Sequence, residues 1–187
     1  MNRQKVIRLK TVVVGNDGSG KTSLFHTFAR RQFPNDYIPT VFEGYVHSFE
    51  TPDETIDLAF WDTFRGDGDE YTSIRILSYM DTDVFILCFD VSNVSEFSDV
   101  CNYWAPELKE FSSQAPTILV GCKIDLRYSQ TETISWEMGQ QMASTIDAIT
   151  YMEVSSLKMT GLDELFDQVC RVGRKHQKSK FKRCILL

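Results

Sequence analysis

The chain has 187 residues, 42% of them hydrophobic and 25% charged, with a formal net charge of −6. That balance describes one soluble globular domain large enough for a sizeable core, and with no apolar run near ~18 residues it excludes a transmembrane helix. Seven of the 20 Lys/Arg lie in residues 171–187 with no Asp or Glu among them, so the other 13 face all 26 acidic residues; the acidic body argues against nucleic acid, and the basic tail argues for an anionic membrane surface.

From Met1 to Lys10 charges stand where a signal peptide has its apolar stretch, and Asn2 offers no myristoylation site. Val6–Val14 predicts a strand that runs into Gly15-Asn16-Asp17-Gly18-Ser19-Gly20-Lys21-Thr22, a complete G-x-x-x-x-G-K-T phosphate-binding loop. The glycines let successive N–H groups turn toward one anion, and the dipole of the following helix adds to them. Lys21 is expected to reach the β- and γ-phosphates, and the Thr22 hydroxyl to bind Mg²⁺. Lys21–Arg31 predicts that helix, with Leu24, Phe25 and Phe28 facing inward.

Gly44–Glu50 and Ile56–Trp61 predict strands joined at the turn cluster Thr51-Pro52-Asp53-Glu54. Val84–Asp90, VFILCFD, is a continuous apolar run that suits a parallel strand buried on both faces. Glu96–Phe111 predicts a helix distorted locally by Pro106, and Thr117–Gly121 another buried strand. Behind that strand stands Val120-Gly121-Cys122-Lys123-Ile124-Asp125. A carboxylate there can accept from both N1–H and the N2 amine of guanine, a donor pair adenine lacks, while the Lys123 stem lies across the base. Ser135 is placed to N-cap a helix to about Ser144, with Glu137 in its first turn. Thr150–Val154 predicts the last strand and Leu162–Lys175 the last helix, and from His176 on the chain is too basic and polar to pack and is expected to be mobile. The five cysteines, Cys88, Cys101, Cys122, Cys170 and Cys184, show no C-x-x-C spacing and read as reduced cytosolic thiols. Six strands alternating with about five helices predict a doubly wound α/β P-loop NTPase domain, with a mostly parallel sheet flanked by helices.

Several motifs, in order and in register, resemble the Rho family of Ras-like small GTPases over essentially the whole chain. Tyr37-Ile38-Pro39-Thr40-Val41-Phe42-Glu43 resembles the Rho switch I segment. Trp61-Asp62-Thr63 and Leu77-Ser78-Tyr79 are similar to the motifs that open and follow switch II, and Glu153-Val154-Ser155-Ser156-Leu157 to E-C-S-A-L, whose backbone contacts the guanine oxygen. Cys184-Ile185-Leu186-Leu187 resembles a C-a-a-X ending. The resemblance implies GTP/GDP and Mg²⁺ as ligands and a monomer of two parts, a GTPase domain at 1–175 and a polybasic prenylated tail at 176–187. It implies a nucleotide site of Asp17, Gly18, Ser19, Gly20, Lys21, Thr22, Ser23, Phe33, Tyr37, Pro39, Thr40, Lys123, Asp125, Leu126, Ser155, Ser156 and Leu157. Within it Phe33 packs on the base (or is simple core), Tyr37 folds over the phosphates, and Thr22, Thr40 and, through water, Asp62 hold the metal. Effectors are expected at switch I, Tyr37–Glu43, and switch II, Phe64–Tyr79, with exchange factors as regulators. The final Leu implies geranylgeranylation of Cys184, seconded by Lys175, Lys178, Lys180, Lys182 and Arg183, and a peripheral place on the cytoplasmic face of a membrane, the plasma membrane foremost.

The chain also departs from that family. Asp17 stands where the family has a glycine that leaves room for the attacking water and for an arginine supplied by an activating protein. Its carboxylate either crowds both or points to solvent and caps the turn. Phe64-Arg65-Gly66-Asp67-Gly68-Asp69 replaces A-G-Q-E with two extra residues and no glutamine to orient water. The glycine whose N–H senses the γ-phosphate falls on Arg65 unless the loop bulges to bring in Gly66. Arg65 is either an internal cation for the phosphate or a solvent-exposed side chain. Cys122 replaces an Asn or Thr that ties the base loop to the phosphate loop, which predicts faster nucleotide exchange. The stretch from Asp125 to Ser155 is about ten residues short of a typical Rho protein, so the extra Rho helix is expected to be missing or a stub.

The leading expectation is a Rho-like GTP-binding switch, deficient in hydrolysis and largely GTP-bound, that recruits effectors at membranes in signalling, the cytoskeleton foremost. The alternative is a slow, working GTPase that uses unconventional residues or an activating protein. A P-loop ATPase or small kinase is disfavoured by Cys122-Lys123-Ile124-Asp125 and by the lack of an arginine-rich lid insertion.

Overall fold

The computed structural model describes residues 5–34, 36, 43–50, 54–66, 68–112, 114–129 and 131–185, with the side chains of 43, 44, 69 and 182–185 excepted. Tyr37, Pro39 and Thr40 of the expected site lie outside the described residues, as do residues 37–42 of the effector segment and the turn residues 51–53.

Among the described residues six strands form one sheet: β1 Lys5–Gly15, β2 Glu43–Glu50, β3 Glu54–Asp62, β4 Val84–Asp90, β5 Thr117–Cys122 and β6 Thr150–Glu153. Their order is β2-β3-β1-β4-β5-β6. Strands β2 and β3 pair antiparallel; β3, β1, β4, β5 and β6 run parallel. The α-helices are α1 Lys21–Arg30, α2 Asp69–Leu77, α3 Ala105–Ser112, α4 Trp136–Thr145 and α5 Leu162–Ile185. This is the doubly wound α/β sheet that the sequence predicts.

Alternation along β1 sends Leu9 and Val13 to one face and Val12 and Val14 to the other, and β4 divides in the same way. The first face packs against α1 and α5. Leu24, Phe25 and Phe28 are all buried there, and the Phe28 ring stacks 3.5 Å from that of Phe166. The second face packs against Tyr79, Trp104, Leu108, Ile134 and Ala143. Each central strand is therefore covered on both sides, which is why VFILCFD carries almost no polar residue.

The predicted helix at Glu96–Phe111 divides. A short 3₁₀ helix at Val94–Glu96 is followed by a π-helical turn at Val100–Trp104, and α3 starts only at Ala105. The Ala105 N–H donates to the Val100 carbonyl, five residues back. Pro106 has no N–H to donate to the turn before it, and the widened turn absorbs the ring that would otherwise strike that turn. Ser135 caps α4 as expected, its side chain accepting from the Met138 N–H. Between Asp125 and Ser155 the described residues hold only a 3₁₀ helix at Ile124–Tyr128 and α4, with no further helix.

The expectation of a mobile segment from His176 is corrected, because α5 continues to Ile185. Gln177 donates from Nε2 to the Arg8 carbonyl at 2.6 Å and to Asp83 Oδ2 at 2.9 Å, and Lys180 reaches the Thr82 carbonyl. These polar side chains bind the start of β1 and the loop before β4, an anchoring that composition does not reveal. Earlier in α5, a Cβ on Gly173 would come 3.1 Å from both Leu9 and Val84, so the helix backbone lies close against β1 and β4.

Candidate nucleotide-binding site

Five carboxyl-terminal strand ends meet along one edge of the sheet, and the chemistry-bearing residues follow them. β1 leads into residues 15–22, β3 ends on Asp62, β4 ends on Asp90, β5 leads into Lys123 and Asp125, and β6 leads into Ser155. In open α/β sheets ligands bind in this crevice.

The loop after β1 is shaped by its glycines. Gly15 has φ 140°, and a Cβ there would fall 2.1 Å from the Cys88 carbonyl oxygen, so no other residue fits. Gly20, at φ 103°, is the N-cap of α1 and has no side chain to accept the first-turn N–H groups, which suits an anion at that end. Lys21 folds back over the loop, its Nζ donating to the carbonyls of Gly15 and Asn16 at 2.9 Å each. Burial holds the Lys21 pKa below its ordinary value, against the pull of Asp62 and Asp17. Ser19 is buried in the loop, and Gly18 and Ser23 complete the run.

Two of the three expected metal residues meet: Thr22 Oγ1 donates to Asp62 Oδ2 at 2.6 Å. A hydroxyl and a carboxylate this close, beside a phosphate loop, are the hard oxygen donors that Mg²⁺ takes. The residues present fit a Mg²⁺–nucleotide.

On the base side, Asp125 Oδ1 accepts from the Ser155 hydroxyl, whose oxygen in turn accepts the Lys158 N–H at 3.0 Å. Lys123, at φ 62°, turns its Nζ to Asp90 Oδ2 at 2.7 Å. Arg127 makes a bidentate pair with Glu153 and donates to the Ile134 carbonyl, joining the base loop to the end of β6. Leu126 is partly buried, Ser156 is buried and Leu157 is half exposed. Phe33 is partly buried and belongs to neither core cluster. Cys122 lies under the phosphate loop, where a Cβ on Gly20 would meet its Cβ at 3.3 Å. The thiol does not act alone: hydrogen bonding with Cys122, and then burial, raises the Cys88 thiol well above its ordinary range.

Asp17 is exposed, and its Oδ1 accepts the Arg65 N–H at 3.3 Å. Arg65 is neither solvent-exposed nor directed as a loose cation. Its Nη1 donates to Asn16 Oδ1 at 2.7 Å and to Asp99 Oδ2 at 2.9 Å, and its guanidinium lies 4.6 Å from the Tyr103 ring centre. Gly66, at φ 57°, packs under Tyr71, where a Cβ would fall 2.6 Å from the tyrosine Cβ. Behind this stretch Arg75 is fully buried. It binds Glu107 with two nitrogens, the Tyr103 hydroxyl, and the carbonyls of Phe64 and Arg65, while the Tyr79 hydroxyl donates to Glu107.

Sequence reasoning passed over Asn16, Asp90, Asp99 and the Arg75–Glu107 pair. Asp90 carried a signal, a lone charge closing a buried apolar strand. The others become partners through contacts that span up to 88 residues. The family model described as "Ras family" matches residues 10–175.

Proposed function

The chain belongs to the Ras family of small GTPases, and we propose that within it the protein is a Rho-like GTP-binding switch that hydrolyses GTP very weakly and recruits effectors at a membrane. A Ras-family domain binds guanine nucleotide with Mg²⁺ and acts through effectors and regulators. Mg²⁺ held there would supply positive charge against the phosphate oxygens. Lys21 and the loop N–H groups would hold the phosphates, Thr22, Thr40 and, through water, Asp62 would hold the metal, and Asp125 would take the guanine edge.

The observation that carries the weak-hydrolysis reading is the Asp17 carboxylate, set in the phosphate loop and bonded to the Arg65 N–H. Phosphoryl transfer in this family depends on positioning and charge stabilisation, and an arginine donated in trans is worth ~10³–10⁵ in rate. Asp17 places a negative, space-filling group where that arginine and the water need room, and residues 64–69 contain no glutamine to orient the water. Both defects act on one event, so their repairs are non-additive. The Rho assignment rests on the switch I and W-D-T motifs. The membrane assignment rests on Cys184 and the basic residues of 171–187.

Single-turnover hydrolysis on GTP-loaded protein tests the central claim. The unmodified chain is expected to turn over very slowly, and Asp17→Gly to gain little. Replacement of residues 64–69 by Ala-Gly-Gln-Glu is expected to gain little alone, and the combined change to exceed the product of the two gains. Rapid hydrolysis by the unmodified chain would overturn this reading in favour of a working GTPase with unconventional residues.

A further inference from the structure

We propose that the first turn of switch II, residues 64–66, is latched to the phosphate loop by the protein itself, so that its position is the same with GDP and with GTP. The inference rests on guanine nucleotide binding at residues 15–22 and deepens that reading.

The latch has three holds, each with protein at both ends. The first is a closed triangle. Asn16 Nδ2 donates to Asp99 Oδ2 at 2.8 Å, and Arg65 Nη1 donates both to Asn16 Oδ1 at 2.7 Å and to Asp99 Oδ2 at 2.9 Å. Asn16 is 6% exposed and its amide is fully used, because Nδ2 also donates to Glu96 and Oδ1 also accepts from Trp104 Nε1. A lone surface ion pair contributes little, but a triangle closed on a buried, saturated amide strands its remaining members if one is lost. The second hold is the main chain of residue 65, whose N–H donates to Asp17 Oδ1. The third is Arg75, which takes the carbonyls of Phe64 and Arg65 from behind and is itself fixed by Glu107.

The middle hold gives the latch its meaning. In plain register, the residue 65 N–H is the group that would read a γ-phosphate. Here that N–H already has an anionic oxygen, supplied by the phosphate loop. A ligand shifts an equilibrium only by its differential affinity for two states, and a segment held at its side chain, N–H and carbonyls has little left for a terminal phosphate to change. Nucleotide state is then reported outside residues 64–66.

Hydrogen exchange on the full chain tests this, comparing GDP·Mg²⁺, a non-hydrolysable GTP analogue with Mg²⁺, and nucleotide-free protein over peptides spanning 62–77. Exchange is expected to agree between the two nucleotide forms. Asp99→Asn and Arg65→Gln each remove a charged partner and are expected to speed exchange about tenfold or more in the GDP form. An unmodified chain with clearly stronger protection under the triphosphate analogue than under GDP would overturn the latch, as would two variants that exchange like the original. Fluorescent-GDP titration of the same samples separates the two ideas. Failure to bind guanine nucleotide would remove the function proposed above, while the nucleotide-free arm, unmodified against Asp99→Asn, still judges the latch.

Discussion

At the scale of single residues, the base loop holds its carboxylate ready for use. Asp125 is oriented by Ser155, so Asp125→Asn keeps the side-chain shape but turns an acceptor into a donor. A site built to hydrogen-bond a particular edge rejects the wrong one strongly. The expected outcome is a fall of about tenfold or more in guanine nucleotide affinity with a gain for xanthine nucleotide, read by competition between GTP and XTP; unchanged preference would refute the base assignment. Asp99 makes a second prediction. The Asn16 hydrogen bond first, and then Arg65, hold its carboxyl below the ordinary range. A folded pKa below the unfolded one means stability that is fully present above the unfolded value, about 3.9, and lost as pH falls through the folded value. The difference in urea midpoint between the original chain and Asp99→Asn is therefore expected to be constant above about pH 5 and to shrink in more acid solution; a pH-independent difference would contradict the pairing. The glycines, Lys21, Thr22 and Asp125 were legible because their chemistry sits in short contiguous motifs. Asn16 was printed in the same loop and stayed silent, because its partner Asp99 lies 83 residues away.

At the scale of elements, α2 is fastened to α3 by one buried ion pair. Arg75 and Glu107 have side chains 1% and 9% exposed, and the pair also carries the Tyr79 and Tyr103 hydroxyls. Removing one member of a buried pair leaves the other uncompensated, at a cost of about 3–5 kcal/mol. Arg75→Ala is expected to lower unfolding stability by that amount in urea denaturation, and a loss below ~1 kcal/mol would mean that water or another cation replaces it. Element type was readable wherever periodicity was strong. β4 was marked by its apolar run, α1 by Leu24, Phe25 and Phe28, and α4 by Ser135. Breaks and lengths were less so. Pro106 announced a distortion, but the π-helical turn that absorbs it starts at Val100, six residues earlier. The last ten residues of α5 looked too polar to pack because polar anchors such as Gln177 have no periodicity to display.

At the scale of the whole molecule, the strand-helix alternation with a glycine loop after β1 left one doubly wound architecture to expect, and the sheet order follows it. The continuation of α5 to Ile185 bears on the proposed membrane face, because Arg171, Lys175 and Lys178 recur at helical spacing and all three are exposed. Neutralising Lys178, Lys180, Lys182 and Arg183 is expected to weaken binding of the lipidated protein to anionic vesicles by up to about 1 kcal/mol per charge and to flatten its salt dependence. Sedimentation with vesicles at two ionic strengths measures both, and an unaltered salt response would place the attraction elsewhere. The close seat of α5 on β1 and β4 also bears on how the protein is made. Leu9 and Val84 are roofed by the helix at Gly173, and Gln177 binds Arg8 across 169 residues. At synthesis rates of about 5–20 residues per second, the strand that carries the phosphate loop waits on the order of ten seconds for its roof. Throughout that interval α1 alone shields this side of the central strand, through Leu24, Phe25 and Phe28, and the part under Gly173 stays open until the last helix leaves the ribosome.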